Sequence, residues 1–266
     1  MHNNVTEMFE QLWQQYLAVT PSAKKIHQLL SNGETIINDH IALRTFNLAK
    51  VNLDVLAAHF IELGYQEKGQ YQFVSKKLNA KHFEHSDPSQ PKVFISELKV
   101  EECSAELQSI VTELVAQIDA GVTTAKNFIY GGAPWSVTQA QYQVLLAESE
   151  YAAWTAAWGY RANHFTVLVN TLDGYDDLES VNTALKDASY ALNTSGGEIK
   201  GSEAVLLKQS STMADKAMVS FSDGDLEIPS CFYEFAQRYN MANGQQYTGF
   251  VAASADKIFE STNASK

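Results

Sequence analysis

His40, His164 and Glu234 are the residues whose types could do chemistry together in this chain. Two imidazoles and one carboxylate form the facial set that grips Fe(II) and leaves adjacent positions open for a chelating substrate and for oxygen. Their separation in sequence is no obstacle, because side chains on different strands of one curved sheet can converge. Each stands in a segment that reads as a strand: NDHIALRTF (38–46), ANHFTVLVN (162–170) and CFYEFAQRY (231–239). Alternation puts His40, Ala42, Arg44 and Phe46 on one face, His164, Thr166, Leu168 and Asn170 on another, and Phe232, Glu234, Ala236 and Arg238 on a third. If those faces line one concave surface, the three ligands meet.

Each residue also has an ordinary reading. A lone histidine at a strand start is commonly a hydrogen-bonded structural residue, and Glu234 could pair with Arg238 on its own face. Against that, a carboxylate set among Phe232, Tyr233 and Phe235 is costly unless it is paired or ligates a metal. Arg44 lies about 13 Å beyond His40 along the strand. A guanidinium reaching back from there would hold a substrate carboxylate in a two-pronged grip; the plainer alternative is an ion pair with one of the 31 acidic residues. Glu97, at mid-strand in the first half as Glu234 is in the second, is an alternative or fourth ligand. His82 and His85 have opposite parity, so only one of them could reach the site, as a proton donor. His2 is terminal, and His27 and His59 fall on helices where exposure is the default.

The elements that must position these residues repeat. Val5, Met8, Phe9, Leu12, Trp13 and Tyr16 have the spacing of an amphipathic helix, and a second helix runs from Ala23 to Leu30. A strand at 39–46 is followed by a helix (53–63) and strands at 65–74, 78–85 and 93–100. Residues 103–157 are mostly helical, with a break at GGAP (131–134) and a helix from Val144 to Trp158. The first order then returns: a strand at 162–170, a helix at 178–188, and strands at 197–201, 204–209, 213–222 and 230–239. Asp225 and Glu227 sit in SDGDLEIP, which reads as a solvated turn. Two βαβββ units imply a duplicated α+β architecture within one domain. The expected divisions are N-terminal helices (1–34), a first unit (35–102), a helical insertion (103–160), a second unit (161–250) and a tail (251–266).

Composition narrows the function classes. A chain of 266 residues with 45% hydrophobic and 19% charged residues is globular in balance, and its net charge of −12 argues against nucleic acid or an anionic membrane as partner. Cys103 and Cys231 are the only cysteines, which excludes a disulfide framework and a cysteine-rich zinc site. No run approaches the roughly 18 apolar residues of a membrane span, and the first residues lack the apolar stretch of a secretory leader, so a cytoplasmic protein is expected. GxSxG, GxxxxGK[ST] and GxGxxG are all absent.

A tandem βαβββ pair with a histidine on the first strand of each unit and a glutamate on the last resembles the vicinal oxygen chelate superfamily. NDHIALRTF, GYRANHFTV and CFYEFAQRY resemble, more closely, the 2-oxoadipate dioxygenase/decarboxylase family, the hydroxyglutarate synthases. The resemblance implies a curved sheet or barrel of that superfamily's kind, Fe(II) held by His40, His164 and Glu234, and Arg44 contacting the substrate. It also implies oxidative decarboxylation of a small 2-oxo dicarboxylate, 2-oxoadipate and O2 giving 2-hydroxyglutarate and CO2. Two other readings stay open: a redox-neutral metal-dependent lyase, isomerase or hydrolase using Glu97 as a fourth ligand, and a non-catalytic small-ligand binder. In the latter, Trp135, Trp154, Trp158 and Tyr160 would line a pocket rather than pack helices. A homo-oligomer is neither required nor excluded.

Overall fold

Two helices lead into the sheet in the computed structural model, which describes residues 2–263. Helix α1 (Val5–Leu17) starts where the Asn4 side chain accepts a hydrogen bond from the Glu7 amide, and it buries Met8, Leu12 and Tyr16. Helix α2 (Pro21–Ser31) has proline at its start, where no amide donor is needed, and ends at Asn32 in the left-handed region (φ 45°). The first repeat follows as β1 (Asn38–Phe46), α3 (Leu53–Ile61), β2 (Tyr65–Phe73), β3 (Leu78–His85) and β4 (Lys92–Leu98).

The middle of the chain supplies α4 (Ala105–Ala116), α5 (Gln139–Glu148) and α6 (Glu150–Trp158). The sequence suggests one helix from Val144 to Trp158; it divides instead at Ser149, whose extended backbone (φ −145°) ends α5 and whose side chain caps α6 at the Ala152 amide. The second repeat is β5 (His164–Leu168), α7 (Leu178–Asp187), β6 (Lys200–Ser202), β7 (Leu207–Ser211), β8 (Lys216–Phe221), β9 (Gly224–Pro229) and β10 (Phe232–Arg238), and a short helix, α8 (Ala252–Ile258), follows it. SDGDLEIP (222–229) is therefore strand over six of its eight residues. Gly224 (φ +138°) opens β9, and β8 and β9 form a hairpin apart from the main sheet that buries Ile228. Of the tail, residues 264–266 lie outside the described residues.

Among the described residues the main sheet has eight strands in the order β2-β3-β4-β1-β5-β10-β7-β6, curled into a half-barrel. Each repeat contributes four strands in the same arrangement, its first strand parallel to its last (β1 with β4, β5 with β10). The two halves join where β1 runs antiparallel to β5, with Ile41 opposite Phe165 and, symmetrically about that pair, His40 opposite Thr166 and Ala42 opposite His164. The fold is thus the α+β, duplicated βαβββ arrangement that the sequence suggests.

Alternation sends Phe165 and Tyr233 outward beneath α1, where Trp13 and Tyr16 lie 4.8 and 5.1 Å from the Phe165 ring. Burying each such side chain contributes about 1.5–3 kcal/mol. The inner face is left to the candidate ligands, closed over by α6 and α8.

Candidate metal centre

Register brings the three ligands together. His40, Thr166 and Glu234 stand side by side across β1, β5 and β10, and His164 stands one row away, between Ala42 and Phe232. One donor atom each from His40, His164 and Glu234 lies within 4.8 Å of the others, and all three residues are buried. His164 Nε2 is 3.1 Å from Glu234 Oε2, and His40 Nε2 is 3.5 Å from Glu234 Oε1. The rings of the two histidines are 5.5 Å apart and nearly perpendicular. Phe94, Phe232, Phe250, Ile258 and Phe259 wall the surrounding cavity with apolar surface.

The other side of each ligand is held. His40 Nδ1 donates to Asp39 Oδ2 at 2.7 Å, so its Nε2 faces the site, where the Thr166 hydroxyl lies at 3.1 Å. His164 Nδ1 lies 3.3 Å from Asn163 Oδ1, and Gln209 Nε2 donates to Glu234 Oε1 at 2.6 Å. Burial, with His40 and Arg44 close by, holds His164 well below the usual imidazole range, keeping a neutral ring with a free lone pair. Burial pushes the Glu234 carboxyl up, against the opposing pull of His40 and Gln209. Glu234 Oε2 finds no hydrogen-bond partner among the described residues. A buried carboxylate with one oxygen left unmatched, its two oxygens facing one imidazole nitrogen each, fits a divalent cation, whose charge would offset the burial cost. The donor set suits Fe(II), with zinc, nickel and copper also served by imidazole.

Arg44 lies on the same face, four residues beyond His40. Its guanidinium is buried between the rings of Tyr151, Trp154 and Phe259, with Cζ 5.0–5.6 Å from each. Nη1 donates to Glu150 Oε1 at 3.1 Å and Nη2 to the Thr262 hydroxyl at 2.9 Å. Nε has no hydrogen-bond partner among the described residues. The ion pair named as the plainer alternative is therefore present; Arg44 itself does not line the metal cavity, and the Phe259 ring, which does, stands 5.6 Å from its Cζ.

The remaining candidates are elsewhere. Glu97 does not correspond to Glu234: Lys92 pairs with His40 and Phe232 with His164, so Phe94 is the true counterpart of Glu234. Glu97 has the opposite parity and accepts from the Leu53 amide (2.9 Å) at the start of α3; its counterpart Gln237 does the same for Leu178 (3.1 Å) at the start of α7. His82 bonds the Tyr71 hydroxyl and Glu84, and His85 bonds the Leu63 carbonyl; neither lines the cavity. His59 and His2 are buried rather than exposed, bonded to the Thr123 carbonyl and the Tyr130 hydroxyl. Trp135, Trp154 and Trp158 donate to the carbonyls of Ala156, Ser230 and Pro229, and together with Tyr160 they are packed core.

Sequence reasoning missed Asp39 and Gln209. Neighbouring strand residues ordinarily point to opposite faces, which hid the Asp39–His40 contact; the irregularity in β1 between Asn38 and His40 permits it. Gln209 has no signal beyond being a polar residue inside a buried strand.

Two half-sheets joined along their first strands, with a His–His–Glu cluster on the inner face, define a fold of the glyoxalase, vicinal-oxygen-chelate kind. A glyoxalase-superfamily protein of Ralstonia eutropha shares the fold (TM-score 0.79, 20% identity, 93% of this chain and 86% of that one). The family model described as 2-oxoadipate dioxygenase/decarboxylase matches residues 2–246, and the chain belongs to that family. A chloroplastic/amyloplastic 2-oxoadipate dioxygenase/decarboxylase of Oryza sativa subsp. japonica is 36% identical over 281 residues, covering 93% of this chain and 76% of the relative. The crystal structure of hydroxyglutarate synthase from Oryza sativa in complex with 2-oxoadipate matches with a TM-score of 0.92 at 33% identity, over 97% of this chain and 92% of that one. A Shewanella frigidimarina structure carrying a provisional hydrolase label matches with a TM-score of 0.91 at 66% identity, over 95% of this chain and all of that one. No helix among the described residues is long and apolar enough to cross a membrane.

Proposed function

We propose that this protein is a non-haem Fe(II)-dependent dioxygenase/decarboxylase that converts 2-oxoadipate and O2 to 2-hydroxyglutarate and CO2. The observation that carries the reading is the buried His40–His164–Glu234 cluster with its unmatched carboxylate oxygen, in a chain of the family whose rice member was solved with 2-oxoadipate. Fe(II) bound there would supply open coordination positions for a 2-oxo acid and the redox chemistry that uses O2.

The chain's own residues do the rest. His40, His164 and Glu234 hold the ion, and the phenylalanine walls keep bulk water from the reacting acid. Arg44 receives the far carboxylate of the diacid. Its support is the partnerless Nε on the ligand-bearing face, which leaves capacity for a second charged hydrogen bond. In a chain of net charge −12 a dianionic substrate needs such a local cation.

Apo protein loaded with Fe(II) without oxygen and then given 2-oxoadipate and O2 tests this. Consumption of one O2 for each CO2 and each 2-hydroxyglutarate supports it, with zinc-loaded protein inert. Turnover that proceeds without O2, or with zinc, would establish the redox-neutral reading instead. Ligand binding that survives metal removal and His164→Ala would establish a binding protein.

A further inference from the structure

We propose that Asp39 and Arg238 are a positioning pair that makes the two histidines of the metal site unequal, His40 the firmly held, strongly donating ligand and His164 the weaker one. This rests on the metal-site reading above. Asp39 is fully enclosed and accepts from three directions. It takes the Nδ1 proton of His40 at 2.7 Å and both prongs of the Arg238 guanidinium, Nε at 2.5 Å and Nη2 at 2.8 Å. Lys92 Nζ stands 3.8 Å away. Because a carboxylate only accepts, this contact fixes the His40 proton on Nδ1 and turns the Nε2 lone pair toward Glu234. A carboxylate behind an imidazole also raises its basicity as a ligand.

Arg238 completes the device. It neutralises Asp39, so the carboxylate keeps its charge in a buried place, and it is itself held by the carbonyls of Tyr247 (3.0 Å) and Gly249 (2.8 Å). The next residue, Phe250, packs its ring 4.8 Å from the His40 ring and lines the cavity. One guanidinium thus ties together a ligand's carboxylate partner and the segment that roofs the site.

The second histidine has no such support. Asn163 precedes His164 as Asp39 precedes His40, but it is neutral, its oxygen is 3.3 Å from Nδ1, and its own amide nitrogen has no hydrogen-bond partner among the described residues. The inequality is therefore written into equivalent positions of the two repeats.

The test uses Co(II) on the full-length apo protein, with affinity measured by chelator competition and the ligand field read from the visible absorption of the bound ion. Asp39→Asn should weaken Co(II) binding about 10- to 100-fold and shift the absorption bands, whereas Asn163→Ala should do neither to a comparable extent. A merely structural Asp39 would leave the spectrum of the bound ion unmoved. Since Asp39→Asn leaves Arg238 buried without its anion, the double variant Asp39→Asn/Arg238→Met, which removes both charges, is measured beside it and should show the same loss. Equal weakening by Asp39→Asn and Asn163→Ala, or unchanged affinity in the double variant, overturns the proposal. If wild-type protein takes up no Co(II), or His164→Ala binds it as well as wild type, the metal-site reading itself has failed; stoichiometric wild-type binding with no Asp39 effect defeats the positioning pair alone.

Discussion

A guanidinium as deeply enclosed as that of Arg44 must be matched by anions or aromatic faces, and it has both, in Glu150 and in three rings. Under the proposed function it has a second duty at the substrate's far end. Losing a charged hydrogen bond costs about 1.5–3 kcal/mol, so Arg44→Gln should raise KM for 2-oxoadipate by roughly 10- to 150-fold while Fe(II) affinity, read by chelator competition, stays near wild type. Equal loss of both would contradict that duty. Glu97 gives the opposite case, a carboxylate that the sequence offers as a ligand and the structure uses as a helix cap. Glu97→Ala should leave metal stoichiometry unchanged and lower unfolding free energy by about 1 kcal/mol in denaturant titrations. Both glutamates lie in the last strand of a repeat, but only pairing register shows which residue stands opposite which, and register is set by partners far away in sequence. His40, His164 and Glu234 were legible because their residue types are unusual at buried strand positions. Asp39 was not, because a local irregularity in β1 broke the alternation on which the reading relied.

At the scale of elements, the join between the helical middle and the second repeat is closely packed. Gly159 ends α6 with φ +60° and ψ −140°, and a Cβ there would lie 2.3 Å from the backbone of Ala133. Gly159→Ala should therefore destabilise the protein by more than about 1 kcal/mol and lower metal occupancy at elevated temperature, since β5 and His164 begin five residues later. Thermal unfolding with and without metal measures it. Strand and helix order within each repeat could be read from periodicity and breakers. Of the β8–β9 hairpin only β8 is legible, within the strand expected at 213–222; Leu226 and Ile228 alternate with charged residues as a half-buried strand does, but the Gly and Asp residues ahead of them signal a turn and mask it. The division of α5 from α6 at Ser149 was likewise hidden, because serine is tolerated inside helices and its capping role emerges only with the extended backbone.

The whole molecule couples folding to the ion, because each half-sheet supplies one histidine and the second adds the carboxylate. A cation that binds only the folded chain at 100 times its Kd should add about 2.7 kcal/mol of stability, so Tm should rise on Fe(II) or Co(II) loading, fall on chelation, and lose the difference in His164→Ala. Acid should act through the Asp39–Arg238 pair. Although burial opposes it, Arg238 with His40 holds the Asp39 carboxyl well below its ordinary value of 3.8. The pair's contribution is therefore fully present above that value and drains away as pH falls below it toward the depressed folded value. Unfolding free energies of metal-free wild type and the Asp39→Asn/Arg238→Met variant should accordingly converge below pH 3.8 and run parallel above it. The duplication that makes all this hang together was legible from the recurrence of βαβββ order; the twofold relation of Ile41 to Phe165, which aims the two histidines at one point, lies in the register alone.

Anomalous diffraction at the iron edge, from crystals loaded with Fe(II) without oxygen, reaches the centre of the account directly. One strong peak is expected about 2.0–2.3 Å from Nε2 of His40, Nε2 of His164 and a carboxylate oxygen of Glu234. An iron peak bound elsewhere, or none at full loading, would contradict it.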